Sequence, residues 1–394
     1  MTTHAELKDR IADDGVEFIY AMFVEMHGKP CAKLVPVTAI NDLLKVGAGF
    51  AGFAAGPMSQ TPADPDILAL PDPASYTVLP WQPNVAAMQC DATVEGEEWP
   101  YAPRVILKRA LANAAGQNLV LKAGVEAEYS LLHREDDGSF RVADERDTSK
   151  LPCYDARGLT TMLDHLTTVS RYMDTMGWGN YANDHEDANC QFEINWRYSD
   201  ALNTADRHTF FKWMVKTIAE EQGLMATFMP KPFQNLTGNG AHLHMSLWDD
   251  KSDTNQFLDD KDDNGISQLA YWYIGGILHH AKALAAITNP IVNSYKRLIR
   301  GAPRSGATWA PVYVTYGGSN RSQMIRIPGP GDVEFRTLDG AANPYLSAAA
   351  MLAAGLDGIQ NQIDPGPRND DNLYDVPEPE LRHRGIDFLP TTLA

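Results

Sequence analysis

Cysteine is scarce in this 394-residue chain, and its four copies, Cys31, Cys90, Cys153 and Cys190, form no CxxC or CxxH pair. Neither a disulfide framework nor a structural zinc site is expected, which leaves buried reduced thiols as the plain reading. No apolar run approaches the ~18 residues that a membrane-spanning helix needs. The stretch MTTHAELKDRIADDG has neither the basic head nor the apolar core of a secretory signal, so a cytoplasmic protein is expected. Positive charge is outnumbered: 33 Lys and Arg face 51 Asp and Glu, a formal net charge of -18. Such a surface repels phosphate backbones and anionic lipid, so neither nucleic acid nor a membrane is an expected partner. Nucleotide fingerprints of the GxGxxG and GxxxxGKS/T kinds are missing as well. The sequence therefore announces no phosphate cradle at a helix N-terminus.

What is present describes a globular protein, with 44% hydrophobic and 21% charged residues. Its length is roughly two to three times that of a typical single domain, and two domains are expected. Residues 1–98 read as a small α/β unit: a helix near 4–13, a β-rich stretch VEFIYAMFVEMHGKPCAKLVPV, a helix from Thr38, then strands at YTVLPW and VAAMQCDATV. The Pro-rich ADPDILALPDPASY reads as loop, because proline breaks helices and withholds a donor from sheets. APRVILKRALANAAG then opens a second unit, 99–394, whose helical segments at 158–177, 206–222, 267–287 and 343–361 alternate with isolated strand-like runs. That pattern predicts an α+β unit rather than a doubly wound one. RGAPRSGATWAP, residues 300–311, reads as a flexible polar loop.

The chemistry lies in residues spaced two apart on predicted strands, which share one face of a sheet. Glu126 and Glu128 sit in LVLKAGVEAEYSLL, His242, His244 and Ser246 in GAHLHMSLW, and Glu334 and Arg336 in GDVEFRTL. Glu186 and Glu193 in NDHEDANCQFEINW add carboxylates among apolar neighbours, where an unpaired charge is costly. Five carboxylates and an imidazole suit hard divalent cations, Mg²⁺ or Mn²⁺, better than zinc, and six ligands serve two ions. Arg297, Arg321, Arg326 and Arg336 follow nearby in an otherwise acidic protein. Their planar forks suit carboxylate and phosphate oxygens, and cations with arginines are the usual equipment for moving a phosphoryl group.

Six ordered segments, GVEAEYSLL, ATFMPKPF with TGNGAHLHMSLW, NPIVNSYKRL, NRSQMIRIP, VEFRTLDGAANPYLSAAAML and NLYDVP, resemble the signature segments of the glutamine synthetase family. The resemblance runs from about residue 16 to the end of the chain. It implies an N-terminal β-grasp domain (1–98), a C-terminal catalytic domain of antiparallel sheet with surrounding helices (99–394), and a ring-forming homo-oligomer with active sites between subunits. It implies ATP, glutamate and an amine as substrates, with two to three ions per site. Glu128, Glu186 and Glu193 would hold one metal, and Glu126, His242 and Glu334 the second. His244 and Ser246 would touch ATP, Arg321 and Arg326 would stabilise the transferring phosphoryl, and Gly238, Arg297 and Arg336 would hold glutamate. Tyr374 matches a tyrosine that some bacterial members adenylylate.

Two positions depart from the family pattern. Ala51, in GFAGFAAG, stands where the family's FDGSS carries Asp, and Trp309 aligns with the Glu of the usual GYEAPV flap. Losing two carboxylates weakens an ammonium pocket, and an indole adds an apolar, cation-π surface. A buried methyl adds only about 1 kcal/mol, so discrimination would come mostly from weakened ammonium binding. The pattern resembles the type III-like branch of the family that joins glutamate to methylamine. The amine's proton would pass to Glu186, or to Asp184 or Asp187, with Tyr154 beside the pocket. Rival readings are an ammonia-using synthetase, a polyamine ligase and a non-catalytic assembly or binding protein. The chain also stops after FLPTTLA where members usually continue with ring-tying helices, which leaves double-ring assembly open.

Overall fold

The computed structural model describes residues 3–300, 305–306 and 311–393. Its first sheet has seven strands in the order Pro30–Pro36, Phe18–Val24, Gln82–Val94, Ile67–Pro71, Ala48–Phe50, with Thr77–Leu79 and Glu97–Glu98 also on Gln82–Val94. Phe18–Val24 and Gln82–Val94 run parallel, and the other pairs are antiparallel. The loop expected over ADPDILALPDPASY is in part a strand, Ile67–Pro71. Ile67 and Ala69 alternate into the core, and Pro71 lies at the strand's end, where the missing donor matters least.

The second sheet orders Asn180–His185, Gln191–Trp196, Leu119–Arg134, Ala241–Asp249, Val333–Phe335, Ile325–Arg326, Tyr316–Gly317. Alternation in its central strands is clean. Leu121, Ala123, Val125, Ala127, Tyr129 and Leu131 point into the main core, as do Leu243, Met245, Leu247, Phe192 and Ile194. The helices Pro103–Ala115 and Ala201–Glu221 pack on this sheet. Its opposite face is left for polar side chains. The expected helices form with shifted ends: Ala201–Glu221 starts earlier because Asp200 caps it through Asn203 N–H, and 158–177 splits into Ala156–Thr161 and Leu163–Thr175. The segment 267–287 likewise breaks at His280, giving Gln268–His279 and Ala281–Thr288, while Asn343 caps Pro344–Asn361.

A buried ionic cluster joins the two sheets. Arg104, on Pro103–Ala115, meets Asp91 at 2.6 Å and Asp72 at 2.7 Å, both from the first sheet's segment, and Asp206 of Ala201–Glu221 at 3.0 Å. Tyr345 donates to Asp206 from 2.7 Å. Among the described residues no helix is long and apolar enough to cross a membrane.

Candidate active site

Strand register gathers the predicted ligands into rungs across one sheet face. Asp184 lies opposite Glu193, and Glu193 opposite Glu128. Glu126 lies opposite His242, while His244 lies opposite Glu334, which lies opposite Arg326. Directly opposed residues in an antiparallel pair point to the same side, so register alone converges these groups. His242 Nδ1 is 3.2 Å from Glu126 and 3.6 Å from Glu334, and its Nε2 is 3.8 Å from Glu128. His244 Nε2 reaches Glu126 at 3.2 Å, and its Nδ1 reaches Asp332 at 2.7 Å.

Ligand atoms of Glu126, Glu193 and His242 lie within 4.8 Å of one another, as do those of Glu126, His244 and Glu334. Glu126 belongs to both of these groups, and both imidazoles approach it. A third cluster joins Glu186 and Asp187 with Cys153. Sequence reasoning gave that thiol no place at the site.

The electrostatics call for cations. Burial, then the fields of Glu126, Glu186 and Glu128, pushes the Glu193 carboxyl well above the ordinary range. Burial, then Glu128 and Asp187, does the same to Glu186. Burial also raises Glu126, but hydrogen bonds and charge from His242 and His244 outweigh it and hold that carboxyl low. Glu334 is fully buried and held low against its burial by Arg336, His242, His244 and Arg326. Crowded carboxylates of this kind, all with oxygen to offer, fit hard divalent ions.

The arginines divide. Arg326 Nη1 lies 2.8 Å from Glu334, and Arg336 also pairs with Glu334. The Nε atoms of both are buried without an acceptor among the described residues, donors suited to an anion. Arg297 is tied to the carbonyls of Thr337 (2.9 Å) and Arg336 (3.2 Å). Arg321 is exposed, and its charge reaches Tyr154.

A glycine, Gly240, and an amide, Gln191, that sequence reasoning passed over hold this centre together. A Cβ on Gly240 would stand 2.6 Å from Arg297 Nη2, 3.0 Å from Glu128 Oε1 and 3.1 Å from His242 Nε2. Gly240 N–H and Gln191 Nε2 donate to Glu128 Oε2 from 2.8 and 2.9 Å, and Gln191 also reaches the Gly238 carbonyl at 3.0 Å. Gln191 was legible in principle, being two residues before Glu193 on the same strand face.

Beside Glu126 opens a cleft of ≈ 400 Å³ lined by His244, Ser246, Tyr198, Trp248 and Asp332. Trp248 donates to Ser246 Oγ at 2.9 Å, and Lys122 Nζ sits 3.6 Å from the indole centroid. Trp248 continues the 242, 244, 246 alternation, the signal that would have found it.

On the other side Tyr154 is 66% exposed and adopts φ 63°, a left-handed backbone uncommon for a tyrosine. Burial, Cys153 and Glu186 push its phenol up to about 12. Asp184 is half-buried, and burial with the charge of Glu126 raises its carboxyl. Tyr374 is half-buried beside Tyr313, its phenol within the fields of Arg336 and Arg297. Ala51 is exposed at the first sheet, just after Ala48–Phe50. Trp309 lies outside the described residues.

Residues 100–394 match the family described as glutamine synthetase, catalytic domain. A glutamine synthetase of Rhizobium meliloti (strain 1021) is 50% identical over 364 residues, 92% of this chain and 82% of its own. A glutamate–methylamine ligase of Methyloversatilis universalis is 44% identical over 390 residues, 99% and 88% of the two chains. Among solved structures, one described as a GmaS/ADP complex superposes with a TM-score of 0.93 at 51% identity, covering all of this chain and 88% of the other. An apo GmaS structure superposes with 0.90 at 49%. With a face of carboxylates, imidazoles and arginines assembled by register, and with relatives of this identity along nearly its whole length, the chain belongs to the glutamine synthetase family.

Proposed function

We propose that the protein joins the γ-carboxylate of L-glutamate to methylamine at the expense of ATP, giving γ-glutamylmethylamide, ADP and phosphate. The observation that carries the chemistry is the sheet face on which Glu126, Glu128, Glu193, His242 and Glu334 converge beside Arg326 and Arg336, whose buried Nε donors have no acceptor among the described residues. The amine is supported by the likeness to the methylamine ligase over 99% of the chain and by Ala51 in place of the family's acid.

In this reading Glu128, Glu186 and Glu193 hold one divalent ion, and Glu126, His242 and Glu334 a second. Mg²⁺ or Mn²⁺ there would neutralise phosphate charge and align the reacting oxygens. The cleft along His244 and Ser246 takes the nucleotide, with Trp248 as its apolar wall. Arg297, Arg336 and Gly238 hold glutamate so that its γ-carboxylate lies in line with the terminal phosphate. Arg326 and Arg321 meet the charge on the transferring phosphoryl. The γ-carboxylate oxygen attacks the γ-phosphorus, ADP leaves, and γ-glutamyl phosphate forms. The amine nitrogen then attacks the acyl carbon, phosphate leaves, and the amine's proton passes to Glu186 or Asp184. A carboxylate within hydrogen-bond reach of the amine can take that proton.

The first sheet, 1–98, is read as the β-grasp domain and 99–394 as the catalytic domain. Ala51 follows the first sheet's strand Ala48–Phe50 as the N-cap of Gly52–Ala55, so a part in the amine pocket would come from a neighbouring copy in a homo-oligomeric ring. Exposed Leu34, on Pro30–Pro36, and Phe53, on the short helix Gly52–Ala55, fit such a contact.

Phosphate release with ATP, Mg²⁺ and glutamate, with methylamine, ethylamine, ammonium and putrescine compared at saturation, tests the reading. Methylamine should be preferred. A wide preference for ammonium would favour the second reading, a glutamine synthetase, which the 50% identical relative supports.

A further inference from the structure

The turn that carries Glu186 and Asp187 is held from behind by a buried pair to which the ligase reading gives no role. The side chains of Asp147 and His185 are 1% and 0% exposed, and His185 Nε2 meets Asp147 Oδ2 at 2.7 Å. The other ring nitrogen, Nδ1, meets the backbone carbonyl of Glu186 at 2.8 Å. Asp147 also accepts Cys190 N–H at 2.6 Å and the Asn189 amide at 3.1 Å. It therefore grips both ends of the turn from His185 to Gln191.

Space around the imidazole is cut to fit. A Cβ on Gly158 would fall 2.4 Å from His185 Cδ2, so the ring's position depends on a glycine there. The His185 carbonyl accepts Tyr154 N–H at 2.8 Å, which ties the strained tyrosine to the same turn. On the other side a Cβ on Gly306 would fall 2.0 Å from the Asp187 carbonyl.

A buried ionisable pair costs desolvation, and a hydrophobic pair would fill the space at lower cost. The ionisable pair's side-chain contact with the site, among the described residues, is the bond from His185 Nδ1 to the Glu186 backbone carbonyl, beside the main-chain bond that holds Tyr154. We propose that Asp147 and His185 form a positioning dyad that fixes the Glu186 main chain and, through it, the aim of the Glu186 carboxylate at its divalent cation. The inference rests on the reading of Glu186 as a cation ligand.

The test is Mn²⁺ binding to the full chain, followed by electron paramagnetic resonance, for the wild type and for Glu186→Gln, His185→Gln, His185→Asn and Asp147→Asn, with melting temperatures in parallel. Gln reaches toward Asp147 but abandons the Glu186 carbonyl, whereas Asn sets an amide near the Nδ1 position and keeps that bond. His185→Gln should weaken one class of Mn²⁺ site ~10-fold and leave the other unchanged, while His185→Asn stays within about threefold of wild type. Asp147→Asn should fall between them, with the ATP KM unmoved in all three. Wild-type isotherms for both His185→Gln and Asp147→Asn, whatever their melting temperatures, would reduce the dyad to a structural prop and overturn the proposal. Should the Gln variant fail to fold, Asp147→Asn decides. A wild-type isotherm for Glu186→Gln would remove the cation reading and the proposal with it. Preference for ammonium alongside weakened Mn²⁺ binding in His185→Gln would instead leave the dyad standing and remove only the methylamine reading.

Discussion

Gly240→Ala inserts a single methyl at the point where the glutamate and cation sides meet, and no functional side chain is removed. The new carbon would stand 2.6 Å from Arg297 Nη2, well inside contact distance, and 3.0 and 3.1 Å from Glu128 and His242. The guanidinium is the atom group able to yield, since it ends a long side chain. Yielding stretches its bonds to Thr337 and Arg336 carbonyls, now 2.9 and 3.2 Å. Overpacking of this kind costs about 1–3 kcal/mol. At about 1.36 kcal/mol per tenfold, kcat/KM for glutamate should fall about 5- to 150-fold. The loss should appear chiefly in the glutamate KM, with the ATP KM little changed and the melting temperature lowered by a few degrees at most. Phosphate release at varied glutamate and fixed saturating ATP and amine measures it. A glutamate kcat/KM within a factor of two of wild type would refute the idea that these three groups are packed around the bare Gly240 position.

Chelation should change how stability responds to pH. Glu186 and Glu193 are raised above the ordinary 4.5, so their contribution is full below the unfolded value and is lost as pH rises through the folded one. With EDTA the melting temperature should fall as pH climbs from acid toward neutral, and Mg²⁺ should lift it most at the upper end. Parallel curves with and without the ion would sink that account. Arg104→Met leaves Asp206 buried beside Asp72 and Asp91, and should cost about 3–5 kcal/mol in denaturant unfolding. An unchanged unfolding midpoint would mean that the cluster does not bind the two sheets together. Ala51→Asp should move the ammonium-to-methylamine ratio of kcat/KM up about tenfold, the worth of one charge-assisted hydrogen bond. No change in that ratio would separate residue 51 from the amine pocket.

The convergence of these polar side chains was legible because strand alternation is a local rule: once 119–134 and 241–249 are strands, Glu126 and Glu128 share one face, as do His242 and His244. Arg297 stood out as one of four arginines in an acidic chain, but Gly238 could be reached only through the family pattern, since the backbone that brings the two together is set by tertiary contacts. Gly240 and Gly158 were illegible for the same reason. A glycine's function is the space it leaves, and that space belongs to residues far along the chain. Asp147 escaped notice because its partners, His185 and Cys190, lie about forty residues on, and nothing in its own neighbourhood departs from an ordinary surface aspartate. The strand at Ile67–Pro71 was missed because the prolines of ADPDILALPDPASY outweighed a short alternation whose third buried position is itself Pro71.

The rungs of the second sheet also govern when the site can exist during synthesis. Glu126 and His242 are 116 residues apart, and Glu334 arrives on a later, three-residue strand. Contacts of such long range pay loop-closure entropy before they return anything. As the chain emerges, the carboxylates of 126, 128, 186 and 193 precede both histidines and every arginine that later balances them. Until Val333–Phe335 docks against Ala241–Asp249, the half-built sheet is a concentration of negative charge, and a divalent ion captured at that stage would act as a template for the remaining strands.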